Sequence, residues 1–246
     1  MPHKPFKAIS LIATTVVLCA GLGCVPKKLG NGVQETKTYD FGPIEDIEIT
    51  GNWTVFAEAG VAEGSQRIMV KTDGNLLDFV DLTPTARRLV VSVKEPINPR
   101  SGLELHLRLA KIASFSSAGG VKTQMNFSDQ GGRIKVAGLS RVDAKILGGD
   151  LTIDARGASR VTLDGQAQSL SIESESASRV NAADTVVETA KVVARDASRV
   201  NIHAKSTLSI STAGSANVTY DGRVHKPAVT AASSGASQVI KIEGQP

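Results

Sequence analysis

Gly138-Leu-Ser-Arg-Val142, Gly157-Ala-Ser-Arg-Val161, Ser176-Ala-Ser-Arg-Val180, Asp196-Ala-Ser-Arg-Val200 and Gly235-Ala-Ser-Gln-Val239 are five versions of one phrase. Gly214-Ser-Ala-Asn-Val218 is a looser sixth, and the six valines recur every 18 to 21 residues. A second apolar series lies between them, at Leu151-Thr-Ile153, Leu170-Ser-Ile172, Lys191-Val-Val193 and Leu208-Ser-Ile210. Each repeat therefore holds two short strands. A period near 20 marks a stacked coil, whose units bury their apolar faces only against the units above and below. Strands this short cannot stand alone. Each needs a neighbour ~4.8 Å away to close its backbone hydrogen bonds. Val, Ile and Leu are expected to stack inward as ladders, with the small Gly/Ala-Ser pairs at tight corners.

The chain before the repeats is rich in strand signals as well. Ile44, Ile47 and Ile49 lead to Gly51-Asn52, and Trp53, Val55 and Ala57 alternate with Thr54, Phe56 and Glu58. Ile68 to Val70, Leu76 to Leu82 and Leu89 to Val93 follow. Leu103, Leu105, Leu107 and Leu109 then keep strict period two, with Glu104, His106 and Arg108 on the other face, the mark of a half-buried strand. Asp73-Gly74 punctuates a turn. No stretch has a convincing helical period. The strand-rich half is expected to stack on the same body and cap one end, with the tail after Tyr220 capping the other, because uncapped edges invite edge-to-edge growth. Aromatics are only 4% of the 246 residues, which suits a narrow coil without room for rings in every layer.

These features resemble the auto-transporter adhesin, head GIN domain family, a domain of unknown function in bacterial exported proteins and lipoproteins. The resemblance runs from about Phe41 to Gly222. It rests on Phe41 to Ile49 (FGPIEDIEI), Asp73-Gly74-Asn75-Leu76-Leu77, Leu89 to Val93, Leu103 to Leu109, the repeated corners and Tyr220-Asp221-Gly222. Where the family carries Gly-rich corners, several corners here carry Ala-Ser-Arg. The resemblance implies an exported, all-β protein with a right-handed parallel β-helix-like solenoid, and it supplies no catalytic residues.

The amino terminus is expected to be an address. Lys4 and Lys7 precede the uncharged run Ala8 to Ala20, and Gly21 to Gly23 place small residues before Cys24. These are the parts of a secretory signal, too short for a comfortable membrane span of ~20 residues. The pattern is similar to a bacterial lipoprotein signal, in which Cys24 becomes the lipidated first residue. Ordinary cleavage at the same bond is the alternative. Cys19 is lost with the leader, which leaves Cys24 as the single mature cysteine. Val25 after it, by the same resemblance, points to the outer membrane. The expected organisation is residues 1–23 as signal peptide, 24–35 as lipidated tether and 36–246 as solenoid, strand-rich over 36–110 and repeated over 111–246. The net charge of +4 falls to +2 without Lys4 and Lys7, which does not call for nucleic acid as a partner.

Chemistry in the repeat centres on the residue before each ladder valine: Arg141, Arg160, Arg179 and Arg199, then Asn217 and Gln238. With valine inward, its neighbour points outward. Stacking then lines four guanidiniums up one edge, where neighbours ~4.8 Å apart repel by about 0.9 kcal/mol even in water. Three readings stand open. Asp143, Asp164, Asp184 and Glu173 neutralise the row internally; the row docks a linear anion, since the planar guanidinium binds two oxygens of a carboxylate or phosphate at once; or it does neither. Ser140, Ser159, Ser178, Ser198 and Ser237 are expected to satisfy turn backbone, since no nucleophile elbow or recurring His accompanies them. His106 belongs to a solvated strand face, and His203 and His225 stand alone. No cofactor or metal motif is present. The resulting expectation is a non-enzymatic, lipid-anchored envelope protein that offers a surface for adhesion or for contact with a glycan or other anionic polymer. A structural module docking another envelope protein is the first alternative. A polysaccharide lyase or hydrolase is the second, although Asp143, Asp164 and Asp184 fall out of repeat register in the sequence.

Overall fold

The computed structural model describes residues 27–127, 130–221, 228–231 and 235–242. Apart from one 3-10 turn, Gly74–Phe79, its regular elements are all β-strands. Most of them enter two parallel ladders. One ladder runs, in spatial order, through Arg88–Val93, Asp46–Gly51, Ser114–Gly119, Gly132–Val136 and Asp150–Ala155. It continues through the second halves of Arg160–Ser174, Arg179–Ala194 and Arg199–Thr212 to Ala228–Ala231. The other runs through Glu104–Leu109, Thr54–Ala59, Lys122–Asn126 and Arg141–Ile146. It takes the first halves of the same three long strands and ends at Asn217–Asp221 and Gln238–Lys241. The chain is thus a β-solenoid whose repeats stack at one turn per period.

The valines are the spine of the second ladder. Val142, Val161, Val180, Val200, Val218 and Val239 are register partners in sequence. The first five are 1% exposed or less. Across the core, Ile47, Phe115, Ile134, Ile153, Ile172, Val192 and Ile210 make the matching column. Full burial of a side chain of this kind contributes roughly 1.5–3 kcal/mol, which is what holds strands of five or six residues together. The large rings Trp53, Phe115 and Phe127 are buried in the turns nearest the amino-terminal end, and the later turns are filled mainly with Ala, Val, Ile and Leu until Tyr220 in one of the last strands.

The corners work by backbone shape. Gly119, Gly138, Gly157, Ser176, Asp196 and Gly214 occupy one column with φ between +59° and +101°. That region costs a residue with a Cβ about 1–2 kcal/mol, so glycine fills most of these positions. Ladder bonds continue straight through the corner: Leu139 N–H donates to Gly119 C=O at 2.8 Å and Ala158 N–H to Gly138 C=O at 2.9 Å.

Turn order in space differs from order in sequence. The 46–59 turn lies between the 88–109 turn and the 114–126 turn. The chain makes one turn, leaves to build the end of the coil, and returns beneath its own start. That end is antiparallel. Arg67–Asp73 pairs with Glu104–Leu109 and with Gln34–Tyr39, and Val80–Thr85 pairs with Arg88–Val93. The outermost strand, Gln34–Tyr39, is polar and largely exposed, and its Glu35 and Lys37 discourage further pairing. The leader, Cys24 and His225 lie outside the described residues, as do 222–227, 232–234 and 243–246 of the tail after Tyr220.

A candidate contact face

The outward residues of the valine ladder build a face of parallel columns. Arg141, Arg160, Arg179 and Arg199 are direct register partners, followed by Asn217 and Gln238. Sequence alternation therefore places these six residues as expected. The column also gains a member that the repeat motif did not reveal, since Lys122 is the register partner of Arg141. Lys122 sits in Gly-Val-Lys-Thr, without the Ser-Arg-Val signature, and only the strand pairing shows its place.

Five cations thus stand in line. Among the described residues, no carboxylate lies within ion-pair distance of any of them. The acids proposed as internal partners are elsewhere. Glu173 is held by Arg195 at 2.6 Å, in a cluster where Arg195 also meets Glu175 at 2.7 Å and Arg156 meets Asp154 at 2.8 Å. Asp143 sits one column over, opposite Thr162. Asp164 and Asp184 face each other in register, because an irregularity after Thr162 absorbs the one-residue offset that separates them in the sequence. On the opposite ladder Glu173, Glu175 and Asp154 are neutralised by neighbouring arginines, and on this one Arg108 pairs with Glu58 at 3.1 Å, whereas the five-cation column has no such partner among the described residues.

The adjacent outward column runs Met69, His106, Phe56, Gln124, Asp143 and Thr162. It continues as Asn181, Asn201 and Thr219. Phe56 and His106 stack with ring centroids 4.9 Å apart and planes at 22°. His106 Nε2 lies 3.0 Å from Glu104 Oε2, so this histidine has both an acid and a ring as company. Farther along, Asn201 Nδ2 donates to Asn181 Oδ1 at 3.5 Å and Thr219 Oγ1 donates to Asn201 Oδ1. An elongated groove of about 650 Å³ follows the first part of this column, bordered by Phe56, His106, Gln124, Asp143, Lys145 and Asp164.

The repeat serines face inward. Ser140, Ser159, Ser178 and Ser198 are all buried. Ser140 Oγ donates to Gly119 C=O at 3.3 Å, and Ser178 Oγ lies 2.8 Å from Ser174 Oγ. Thr212 Oγ1 donates to Ser237 Oγ at 3.1 Å, whereas the Ser159 and Ser198 hydroxyls have no protein partner among the described residues. The expectation that these hydroxyls satisfy turn backbone thus holds at Ser140; the others fill the narrow inside of the corner. His203 is not alone, since its Nδ1 lies 3.8 Å from Asp221 Oδ2 on the next turn. Among the described residues no cluster of three or more His, Cys, Asp or Glu is arranged to hold a metal. None of their helices is long and apolar enough to cross a membrane.

Comparison with known proteins agrees with this architecture. The family model described as "Putative auto-transporter adhesin, head GIN domain" matches residues 44–224. A "putative adhesin" from Bacteroides fragilis NCTC 9343 is 12% identical, with a TM-score of 0.74 over 87% of this chain and 99% of that one. Two structures from Parabacteroides distasonis ATCC 8503 are similar too. A "putative adhesin" is 17% identical, with a TM-score of 0.67 over 88% of this chain and 100% of its own. A "putative lipid binding protein" is 14% identical, with a TM-score of 0.62 over 88% and 100%. At these identities the likeness is one of fold. No curated protein matches the sequence.

Proposed function

This chain belongs to the auto-transporter adhesin, head GIN domain family, and from that premise we propose that it is an exported envelope protein whose solenoid serves as a non-enzymatic contact surface for a linear anionic polymer. The single observation that carries this reading is the row Lys122, Arg141, Arg160, Arg179 and Arg199, stacked in register without carboxylate partners among the described residues. Like charges at rung spacing repel, by about 0.9 kcal/mol per neighbouring pair in water. An external polyanion converts that repulsion into attraction and offers each guanidinium a pair of oxygens. Lys4, Lys7, the apolar run Ala8 to Ala20 and Cys24 support export and a lipid anchor in the outer membrane. A surface of this kind needs no catalytic group.

The test is retention on immobilised acidic polysaccharide, lipopolysaccharide and teichoic-type polymer at increasing salt. Wild-type protein is expected to bind at least one of these and to elute with salt, and the Arg160→Gln/Arg179→Gln protein to elute much earlier. A folded wild-type protein that binds none of them contradicts the contact role. Undiminished binding by the double variant takes the contact off the arginine row, and together with unchanged localisation favours a spacer that docks another envelope protein.

A further inference from the structure

We infer that the groove beside the cation row is the seat of an acidic polysaccharide chain, with sugar rings lying against Phe56 and acidic groups turned to Lys122, Arg141 and Arg160. This rests on the proposed polyanion contact and selects among polymers that share negative charge.

Three features of the face select the occupant together. First, the groove and the cation row lie side by side on the same strands. Gln124, Asp143 and Thr162 are each two residues beyond Lys122, Arg141 and Arg160. Two residues of strand span about 6.7 Å. A unit in the groove can therefore turn a side group to the row. Second, Asp143 and Asp164 border the groove, and neither lies within ion-pair distance of a cation among the described residues. A carboxylate there accepts hydrogen bonds, so the occupant needs O–H donors as well as negative charge. A polyphosphate lacks them and would meet repulsion; a sugar carries several on each ring. Third, Phe56 gives one ring face to His106, and its register neighbour on the other side is the flexible Gln124. The C–H-rich face of a pyranose fits beside an aromatic ring flanked by an amide. From Phe56 through Gln124 and Asp143 to Thr162 is three rungs, about 14 Å, which accommodates a few sugar units along the coil. The volume of about 650 Å³ is of the size that buries a small oligosaccharide.

The probes are a defined oligogalacturonide, its methyl-esterified neutral counterpart, inorganic polyphosphate and a single-stranded oligonucleotide, each titrated calorimetrically against the full chain. Alginate and glucuronan oligomers extend the uronate set. At least one uronate oligomer is expected to bind at least tenfold more tightly than the neutral ester, the polyphosphate and the oligonucleotide. Phe56→Ala should weaken the uronate about tenfold while leaving the protein cooperatively folded and any residual polyphosphate binding unchanged, and Phe56→Tyr should retain affinity. Arg141→Gln/Arg160→Gln should weaken every anion. If Phe56→Ala leaves uronate affinity intact while the arginine variant loses it, the groove inference fails and the polyanion reading stands. Tighter binding of polyphosphate or of the oligonucleotide than of any uronate overturns it too. Loss of all binding in the wild type removes both.

Discussion

At the residue scale, stability is concentrated where backbone passes close to backbone. A Cβ added at Gly119 would lie 2.6 Å from Gly51 C=O, at a φ of +101°. Gly119→Ala therefore combines left-handed strain with a backbone clash, and is expected to lower urea-unfolding stability by about 2 kcal/mol or more. A loss below about 0.5 kcal/mol would mean the corner is looser than described. Asp73 is a second such point. It is fully buried. Its Oδ1 accepts from Gly32 N–H at 2.7 Å, and its Oδ2 accepts from Arg100 N–H at 2.7 Å and Ser101 N–H at 3.3 Å. Burial pushes this carboxyl's pKa up, but the N–H groups of Ser101, Arg100 and Gly32 outweigh burial and hold it below the ordinary value. The folded state thus prefers the ionised carboxylate. The stabilisation is fully present above the unfolded pKa of about 3.9 and is lost as pH falls through the lowered folded value. Thermal melts from pH 7 to pH 2 should show the wild type losing stability below about pH 4, and Asp73→Asn, already less stable at neutral pH, losing less of it there. Parallel curves for the two proteins would remove Asp73 from the acid response. In the sequence this residue was only the first half of an Asp-Gly turn, since nothing local announces that residues 32, 100 and 101 converge on it.

Columns dominate at the scale of the element. Because the cation row is self-repelling and has no carboxylate partner among the described residues, Arg160→Gln/Arg179→Gln should be as stable as the wild type or slightly more so. Added salt should raise the wild-type melting temperature more than that of the variant, since screening acts on exposed charge. A variant destabilised by more than about 1 kcal/mol would show that these side chains hold the coil together instead. The row from Arg141 to Gln238 was legible because a period near 19 puts the same phrase at the same place in every turn, and alternation then fixes inside and outside. Lys122 escaped because its turn lacks the phrase. The Asp164–Asp184 pairing escaped because an irregular strand erases a one-residue offset that the sequence shows plainly. The groove was hidden for a related reason: Phe56, His106 and Gln124 come from three separated stretches, and only the ladder brings them into one column.

For the whole molecule, the solenoid body was readable and the order of its first turns was not. Parallel pairing of residues 46–59 with both 88–109 and 114–126 depends on a chain excursion that leaves no local mark. Strand propensity identifies Ile47, Leu89 and Phe115 as inward residues but does not say which lies over which. The proposed anchor acts at this scale as well. Cys24→Ala is expected to move the mature protein from the membrane fraction to the soluble exported fraction, because several acyl chains hold a protein where one is marginal; unchanged fractionation would argue for ordinary cleavage at that bond. All of these expectations depend on successive turns lying in register, so the most direct measurement is a pair of engineered cross-links. Arg160→Cys/Arg179→Cys joins register partners, and adjacent strands ~4.8 Å apart allow a disulfide. Arg160→Cys/Asn181→Cys is displaced by two residues and should be out of reach. Mild oxidation followed by peptide mass spectrometry should find the linked peptides in the first protein and not in the second; equal linkage in both, or none in the first, would contradict the register and with it the cation row.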